Sequence, residues 1–440
     1  MILYHRFMTA ILSLLVSQPS NEGASVKNSH LPQGSSLIQM KIPSNGLLAL
    51  TVILLSIGLI ACTPNLGAST TGWNPAVASD GFVYVGSTDG EVEALVDSGL
   101  EGVRSIWTYS GVGETIQGVY TTPVVGTELL YVSAIDGFLY ALEKETGTLG
   151  STGWRRPQGE REGMRPLVSG PALDEALGIV VVGSEDHNLY AYDAGTGEEL
   201  WQFTTGDKIW STPVINQGTV YFGSHDKKVY AIDLVTGEKK WEKETGGAVV
   251  ARPLVWSGMV IVGSFDRKLY AWNAENGEEA WSQPFEASNW FWAGAVANNS
   301  TIFAPSMDGN VYALDRNGNL LWEHQMGSPI VSTPVLVPRG LVVASREGKI
   351  SLLNTTAGDL GLEREISFHS IDPPAEVKAP LFAPPVDDTD LSQAGIQASG
   401  DDQRESVYVG AQDGTVRRIQ LRSGQNQVWC FDTEEDAVCN

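Results

Sequence analysis

Cysteine is nearly absent from this chain of 440 residues: only Cys62, Cys430 and Cys439 occur. No Cys-x-x-Cys spacing or nearby histidine pair accompanies them, so a zinc site has no support and no metal is expected. Basic residues are also scarce, 28 Lys and Arg against 52 Asp and Glu, for a formal charge of −24. Residues 1–61 hold three of the basic and one of the acidic residues, so the remainder carries −26. A surface of that sign repels nucleic acid and anionic lipid headgroups, which excludes nucleic acid as a partner. A Gly-x-Ser-x-Gly elbow, a metal-binding histidine motif and a phosphate loop are all missing, and no catalytic residue is assigned. Long apolar runs are reduced to one strong segment, residues 47–61, LLALTVILLSIGLIA. It is shorter than the roughly 20 residues that usually cross a bilayer.

What the chain does have is repetition. Residues 211–241, STPVINQGTVYFGSHDKKVYAIDLVTGEKKW, are restated with changes before and after. This unit reads as a four-strand meander: an apolar run at 213–215, a turn at 216–218, a β-branched and aromatic strand at 219–223, a turn at 225–228, a third strand at 229–233, the Thr236-Gly237 turn, and a fourth strand at 238–243 around Trp241. Its two middle strands are apolar on both faces, which suits a sheet held between neighbours. Entrances recur at Asn74-Pro75, Thr122-Pro123, Gly170-Pro171, Thr212-Pro213, Arg252-Pro253, Gly294-Ala295, Thr333-Pro334 and Ala379-Pro380. Their spacings of 39 to 48 residues fit four-stranded propeller blades and not helical or leucine-rich solenoids. Fourth strands end on Trp107, Trp154, Trp201, Trp241, Trp281, Trp322 and Trp429, and the seventh repeat lacks its Trp. The expectation is an all-β, eight-bladed β-propeller of four-stranded antiparallel blades over 73–431. Each Trp is expected to dock on the next blade, with its indole N–H on a backbone carbonyl.

The segments Ala191-x-Asp193-x-x-Thr196-Gly197-x-x-x-Trp201 and Ala231-x-Asp233-x-x-Thr236-Gly237-x-x-x-Trp241 resemble the tryptophan-docking repeat of the quinoprotein-type, or PQQ-like, propellers. Departures are Asn273 in place of Asp in the fifth repeat, one residue fewer between Asp315 and Trp322, and a longer gap before Trp154. The resemblance covers residues 73–431. It implies the fold much more strongly than any one function.

The chain before the repeats reads as an export segment. Lys41 precedes the apolar run, which ends in Leu59-Ile60-Ala61-Cys62 and resembles a bacterial lipobox. That resemblance implies that residues 40–61 are a lipoprotein signal peptide, that Cys62 carries lipid at the mature N-terminus, and that 62–72 are anchor and tether. The alternative is an uncleaved anchor with an ordinary buried cysteine. Met40 stands where such a signal begins, so 1–39 are read as an overlong gene model or disordered extension. Cys430 and Cys439 are read as a disulfide in an oxidising compartment, tying back an acidic tail, 432–440. The protein is thus expected to be an extracytoplasmic, membrane-anchored lipoprotein of a bacterial cell envelope.

Functional candidates come from the loops before each first strand. Proline there cannot donate to a ladder, so the first strand belongs on an edge, and in a propeller that edge faces the central channel. The preceding loops therefore rim one mouth of it, with Gln117, Tyr120, Arg165, residues 207–210, Arg252, residues 289–292 and residues 376–378. Trp210, Arg252, Trp290, Phe291 and Trp292 are candidate binding residues, because aromatics and Arg dominate recognition hot spots. The competing reading is that these aromatics plug a wide channel. Residues 150–166 add Arg155, Arg156, Arg161 and Arg165, either a docking loop for an acidic partner or a solvated excursion. His187 and His225 sit in equivalent turns of different blades with no third ligand.

Two function classes follow. The propeller resembles the BamB-type outer-membrane assembly family, which implies a lipid-anchored, noncatalytic scaffold whose partners are other envelope proteins. The enzyme alternative is a PQQ-dependent dehydrogenase. Those family members carry a catalytic Asp, a calcium site and commonly adjacent cysteines, and this chain has no adjacent cysteines, so no cofactor is expected. Capture of a polysaccharide or small ligand at the channel mouth is a third reading, favoured by the Trp cluster.

Overall fold

The computed structural model describes residues 76–438 except 80, 88–89, 98–102, 112–115, 117, 158–164, 338–339, 348, 356–361, 368–385, 388–405, 411–414, 421–426 and 433–436. Contacts divide the chain into Met1–Gly67 and Ala68–Asn440, and every described residue belongs to the second unit.

Blade four shows how the repeat folds. Its strands are Val214–Asn216, Thr219–Gly223, Lys228–Asp233 and Lys239–Glu244, hydrogen-bonded in that order. Each lies within a residue of its expected bounds. Every residue of Thr219–Gly223 is buried, and Lys228–Asp233 is exposed only partly at its ends. The turn between them is closed by Asp226, whose Oδ1 accepts the Lys228 amide at 3.0 Å while Lys227 takes a left-handed φ of 68°. Gly137 and Gly309 hold the matching positions at 83° and 85°, where glycine removes the Cβ cost of that conformation. Asp226 Oδ2 also accepts the Tyr230 hydroxyl at 2.5 Å and the Gly206 amide at 2.8 Å, joining the turn to its own third strand and to the preceding loop. Burial first, then the aspartate, raises the Tyr230 phenol above its ordinary range, so it stays a proton donor.

Four-stranded blades of this kind span 76–109, 124–156, 172–204, 214–244, 254–286, 296–325 and 335–367. The expectation of eight such blades is therefore corrected: the described residues form seven four-stranded blades, not eight. The last repeat forms a sheet of five strands, Val386–Asp387, Ser406–Gly410, Thr415–Gln420, Gln427–Asp432 and Ala437–Val438. Its extra strand arises beyond Trp429, where Val438 pairs with Phe431 and Ala437 with Asp432. Two β-compatible residues suffice to continue a ladder whose outer edge would otherwise be unpaired.

The cores lie between blades. One joins Tyr221, Val229 and Trp241 of blade four to Val260, Val262 and Trp272 of blade five. The indoles span the same junctions: Nε1 of Trp107, Trp154, Trp201, Trp241 and Trp281 donates to O of Lys144, Ala194, Leu234, Ala274 and Arg316 in the following blade, at 2.8–3.0 Å. Trp322 is buried against blade seven. Trp429 falls on Gln427–Asp432, a described strand. First strands adjoin one another from blade to blade, Val214–Asn216 lying between Ala172–Asp174 and Leu254–Trp256, which turns their Pro-led edge inward. Val416 of the five-stranded sheet packs with Ala76, Val83, Val85, Leu95 and Val103, so that sheet meets blade one directly.

Candidate recognition site at the channel mouth

The mouth is built by two kinds of backbone segment that alternate. Each turn between second and third strands accepts an amide from the loop that follows its own blade: Ser184 O from Ile209, Ser224 O from Val249, Ser264 O from Phe291 and Ser306 O from Ile330. The next residue of each turn donates to the loop before that blade: Glu185 N to Pro166 O, His225 N to Lys208 O, Phe265 N to Ala248 O and Met307 N to Trp290 O. Every loop is thus bonded on both sides. Because these are backbone bonds, the side chains at 185, 225, 265, 208, 210, 290 and 292 can vary freely on a fixed frame.

On blades four to six that variation collects aromatic rings. Phe265 stacks on Trp290 with centroids 4.7 Å apart and on Trp292 at 5.5 Å. Trp292 reaches Trp210 at 6.5 Å, and the His225 ring meets Trp210 edge-on at 4.4 Å. Trp210 is buried, donates Nε1 to Glu185 Oε1 at 2.7 Å, and carries the Lys208 ammonium over its face at 4.1 Å. Trp290 and Trp292 are half-buried, whereas Phe291 is fully buried under the rim, where a Cβ on Gly263 would lie 2.3 Å from its own. The structure therefore brings Trp210, Trp290 and Trp292 together and leaves Phe291 in the core. Phe265 and His225 are members the loop argument missed; their signal was the shared position between Ser and Asp in successive turns.

His225 is held neutral. Burial, reinforced by Lys208 and opposed by Asp207 and Asp226, lowers its pKa to about 4, and its Nε2 is buried with no hydrogen-bond partner. An unfolded chain takes up this proton near pH 6.5, while the folded imidazole refuses it until about 4. The resulting stability is full above pH 6.5 and is lost as pH falls toward 4, by about 3 kcal/mol. His225→Gln should therefore gain on wild type in denaturant midpoint between pH 7.5 and 4.5, because only wild type loses this stability; a pH-independent gap would refute the assignment.

Arg252 stands on the inner edge, next to Pro253, exposed to solvent yet enclosed by protein, as a residue lining the channel must be. Burial alone lowers its pKa. The other arginines proposed for binding lie elsewhere. Arg155 stacks over Phe138 at 4.8 Å, and Arg156 covers Trp154 and donates to O of Thr196 at 2.7 Å and to O of Gly197. Arg155 is held within blade two and Arg156 ties that blade to blade three, while Arg165 is exposed. Among the described residues no group of three or more His, Cys, Asp or Glu is placed to hold a metal, and no helix is long and apolar enough to cross a membrane. A polar groove of about 730 Å³ between blades four and five lies among the turns of the opposite face, lined by Gln217, Lys240, Ser257 and Glu275. Its cation is already committed, Lys240 Nζ lying 3.2 Å from Asp233 and 2.8 Å from Thr219 Oγ1. Gln117, residues 376–378, Arg161, Cys62 and Cys439 lie outside the described residues.

Fold and repeat define a PQQ-like propeller, similar in fold to BamB. The chain belongs to the family described as beta-alanine-activating enzyme, beta-propeller, whose model matches residues 165–440. A curated relative, the quinohemoprotein alcohol dehydrogenase of Comamonas testosteroni, is 32% identical over 143 residues, which is 31% of this chain and 19% of that protein. The chain thus matches about a fifth of that enzyme. Among solved structures, BamB from Moraxella catarrhalis superposes with a TM-score of 0.57 at 17% identity, covering 81% of this chain and 96% of that one. Sqt1 of Saccharomyces cerevisiae gives 0.64 at 12% over 80% and 97%, and the computationally designed Ika8 protein 0.60 at 16% over 80% and 97%. At those identities the likeness is one of fold.

Proposed function

We propose that this propeller is a noncatalytic protein-interaction scaffold of a bacterial cell envelope, held to its membrane by lipid on Cys62 and presenting the channel mouth to other envelope proteins. The observation that carries this reading is the contrast at the rim. The turn aspartates are used structurally, whereas the side chains that differ between blades form a contiguous, partly exposed aromatic surface of Phe265, Trp290 and Trp292 backed by the buried Trp210. Large aromatics that are partly exposed on a rigid frame are the usual anchors of protein recognition. The fold likeness to BamB and the Leu-x-Ala-Cys segment support the envelope setting. The disulfide Cys430–Cys439 belongs to the same reading, and the strand that precedes Cys439 pairs beside Cys430's own strand.

Purification from the native membrane in mild detergent tests it. The expected result is an intact, unreduced mass of chain from Cys62 plus lipid with one disulfide, together with co-purifying proteins that a Trp290→Ala, Trp292→Ala double variant loses at unchanged thermal stability. Capture of a small ligand or polysaccharide is the second reading, favoured by the stacked Phe265–Trp290 pair, and would leave the protein without protein partners. A bound quinone with dye-linked alcohol oxidation would instead assign the activity named for the Comamonas testosteroni relative.

A further inference from the structure

Among the described residues the inner edge carries small residues with one exception. At the entrance position stand Thr122, Gly170, Thr212 and Thr333, each before a Pro, and Gly294 before Ala295, whereas blade five has Arg252 before Pro253. Backbone and hydroxyls link them across blades: Thr212 Oγ1 accepts the Gly170 amide and Thr333 Oγ1 the Gly294 amide, both at 3.1 Å, and Ser211 Oγ donates to Ala251 O at 2.9 Å. A Cβ on Gly294 would lie 3.3 Å from that of Arg252, so glycine in blade six clears the space beside the arginine.

Four other arginines have partners of their own. Arg267 pairs with Glu286 at 3.3 Å, Arg316 donates to Ser257 O at 3.2 Å, and Arg155 and Arg156 are used as described. Among the described residues Arg252 has neither a carboxylate nor a carbonyl. An unpaired guanidinium that reaches solvent at the inner edge is available to an anion, and its planar fork matches a carboxylate in two parallel hydrogen bonds. The flanking Thr212 extends the match. It spends its oxygen as acceptor of the Gly170 amide, so its hydroxyl hydrogen remains for an oxygen in the channel.

We propose that Arg252, flanked by Thr212 and Gly294, is a carboxylate-binding site inside the central channel, entered past the aromatic mouth. One positive charge in a chain of net charge −24 selects a monoanion over a phosphate dianion. The carboxylate comes either from a small organic acid or from the end of a polypeptide. The second source rests on the scaffold reading of the mouth, and the first does not.

Calorimetric titration of the full chain with acetate, butyrate, butyramide, and one short peptide prepared as free acid and as C-terminal amide tests this. Butyrate and acetate should bind and butyramide should not, and Arg252→Met should weaken carboxylate binding at least tenfold. Arg252→Lys keeps the charge without the fork and should fall between. Arg252→Met should also melt close to the wild-type temperature, since the exposed side chain has no partner to lose among the described residues; a purely structural arginine would be destabilised by the change. A free-acid peptide that outbinds butyrate and its own amide identifies a polypeptide end, while equal binding of peptide and butyrate identifies a small acid. Equal carboxylate binding by wild type and Arg252→Met, or equal binding of butyrate and butyramide, would overturn the proposal. Absence of co-purifying proteins from the wild-type preparation, with carboxylate binding intact, would overturn the scaffold reading alone.

Discussion

Trp241→Ala should lower the unfolding free energy by about 3–5 kcal/mol, the cost of emptying a large buried aromatic site. The indole is 7% exposed and packs among Tyr221, Val229, Val260 and Trp272 across the junction of blades four and five. Its carbonyl partner is not orphaned by the change, because Ala274 O also accepts the Tyr221 hydroxyl at 2.9 Å. The loss is therefore one of packing, and Trp241→Phe, which refills much of the space, should cost clearly less. Urea unfolding followed by far-UV circular dichroism measures both. A deficit for Trp241→Ala below about 1 kcal/mol would show that the junction collapses around the gap and that the indole is no keystone.

Gly197→Ala is the second large effect, reached from the other side of an equivalent junction. Gly197 has φ +67° and a Cβ there would lie 2.5 Å from Cδ2 of Trp154. Left-handed backbone costs an alanine about 1–2 kcal/mol, and forcing a methyl group against a buried ring about 1–3 kcal/mol more. Gly218 separates the two contributions: its φ is +72° but nothing lies within 4 Å of its Cβ position. Gly218→Ala should therefore show the backbone cost alone. In a Trp154→Ala background the excess at Gly197 should vanish, since the ring it strikes is gone. If Gly197→Ala and Gly218→Ala lose equal stability, the contact is soft and the Gly–Trp pair does not set blade spacing.

Much of the architecture was legible because each blade restates the same chemistry. The Ser-x-Asp turn, the apolar middle strands and the terminal Trp are local patterns, and local patterns survive in sequence. Two departures had local causes that were harder to weigh. In blade five Pro284 follows Trp281 and interrupts pairing, so its fourth strand is only Phe285–Glu286. In the last sheet Ala437-Val438 is too short to stand out beside acidic neighbours, yet it adds the fifth strand. Relations between turns were the least visible. Asp226 and Tyr230 are four residues apart and could have been paired from spacing, but His225 and Phe265 meet Trp210 and Trp292 only because the ring brings successive turns to one mouth. The Arg155-Arg156 pair read as surface chemistry, and it is absorbed by Phe138, Trp154 and two carbonyls that only the neighbouring blade supplies.

The doubly bonded loops of the rim have an evolutionary consequence. Since each is fixed by main-chain groups on either side, residues 208, 210, 290 and 292 are sockets whose contents can be exchanged without retuning the backbone beneath them. A lineage of such proteins could change what it recognises by single substitutions at these sockets while the barrier to losing the fold stays high. Adaptation would then be written blade by blade, as independent characters on a common frame.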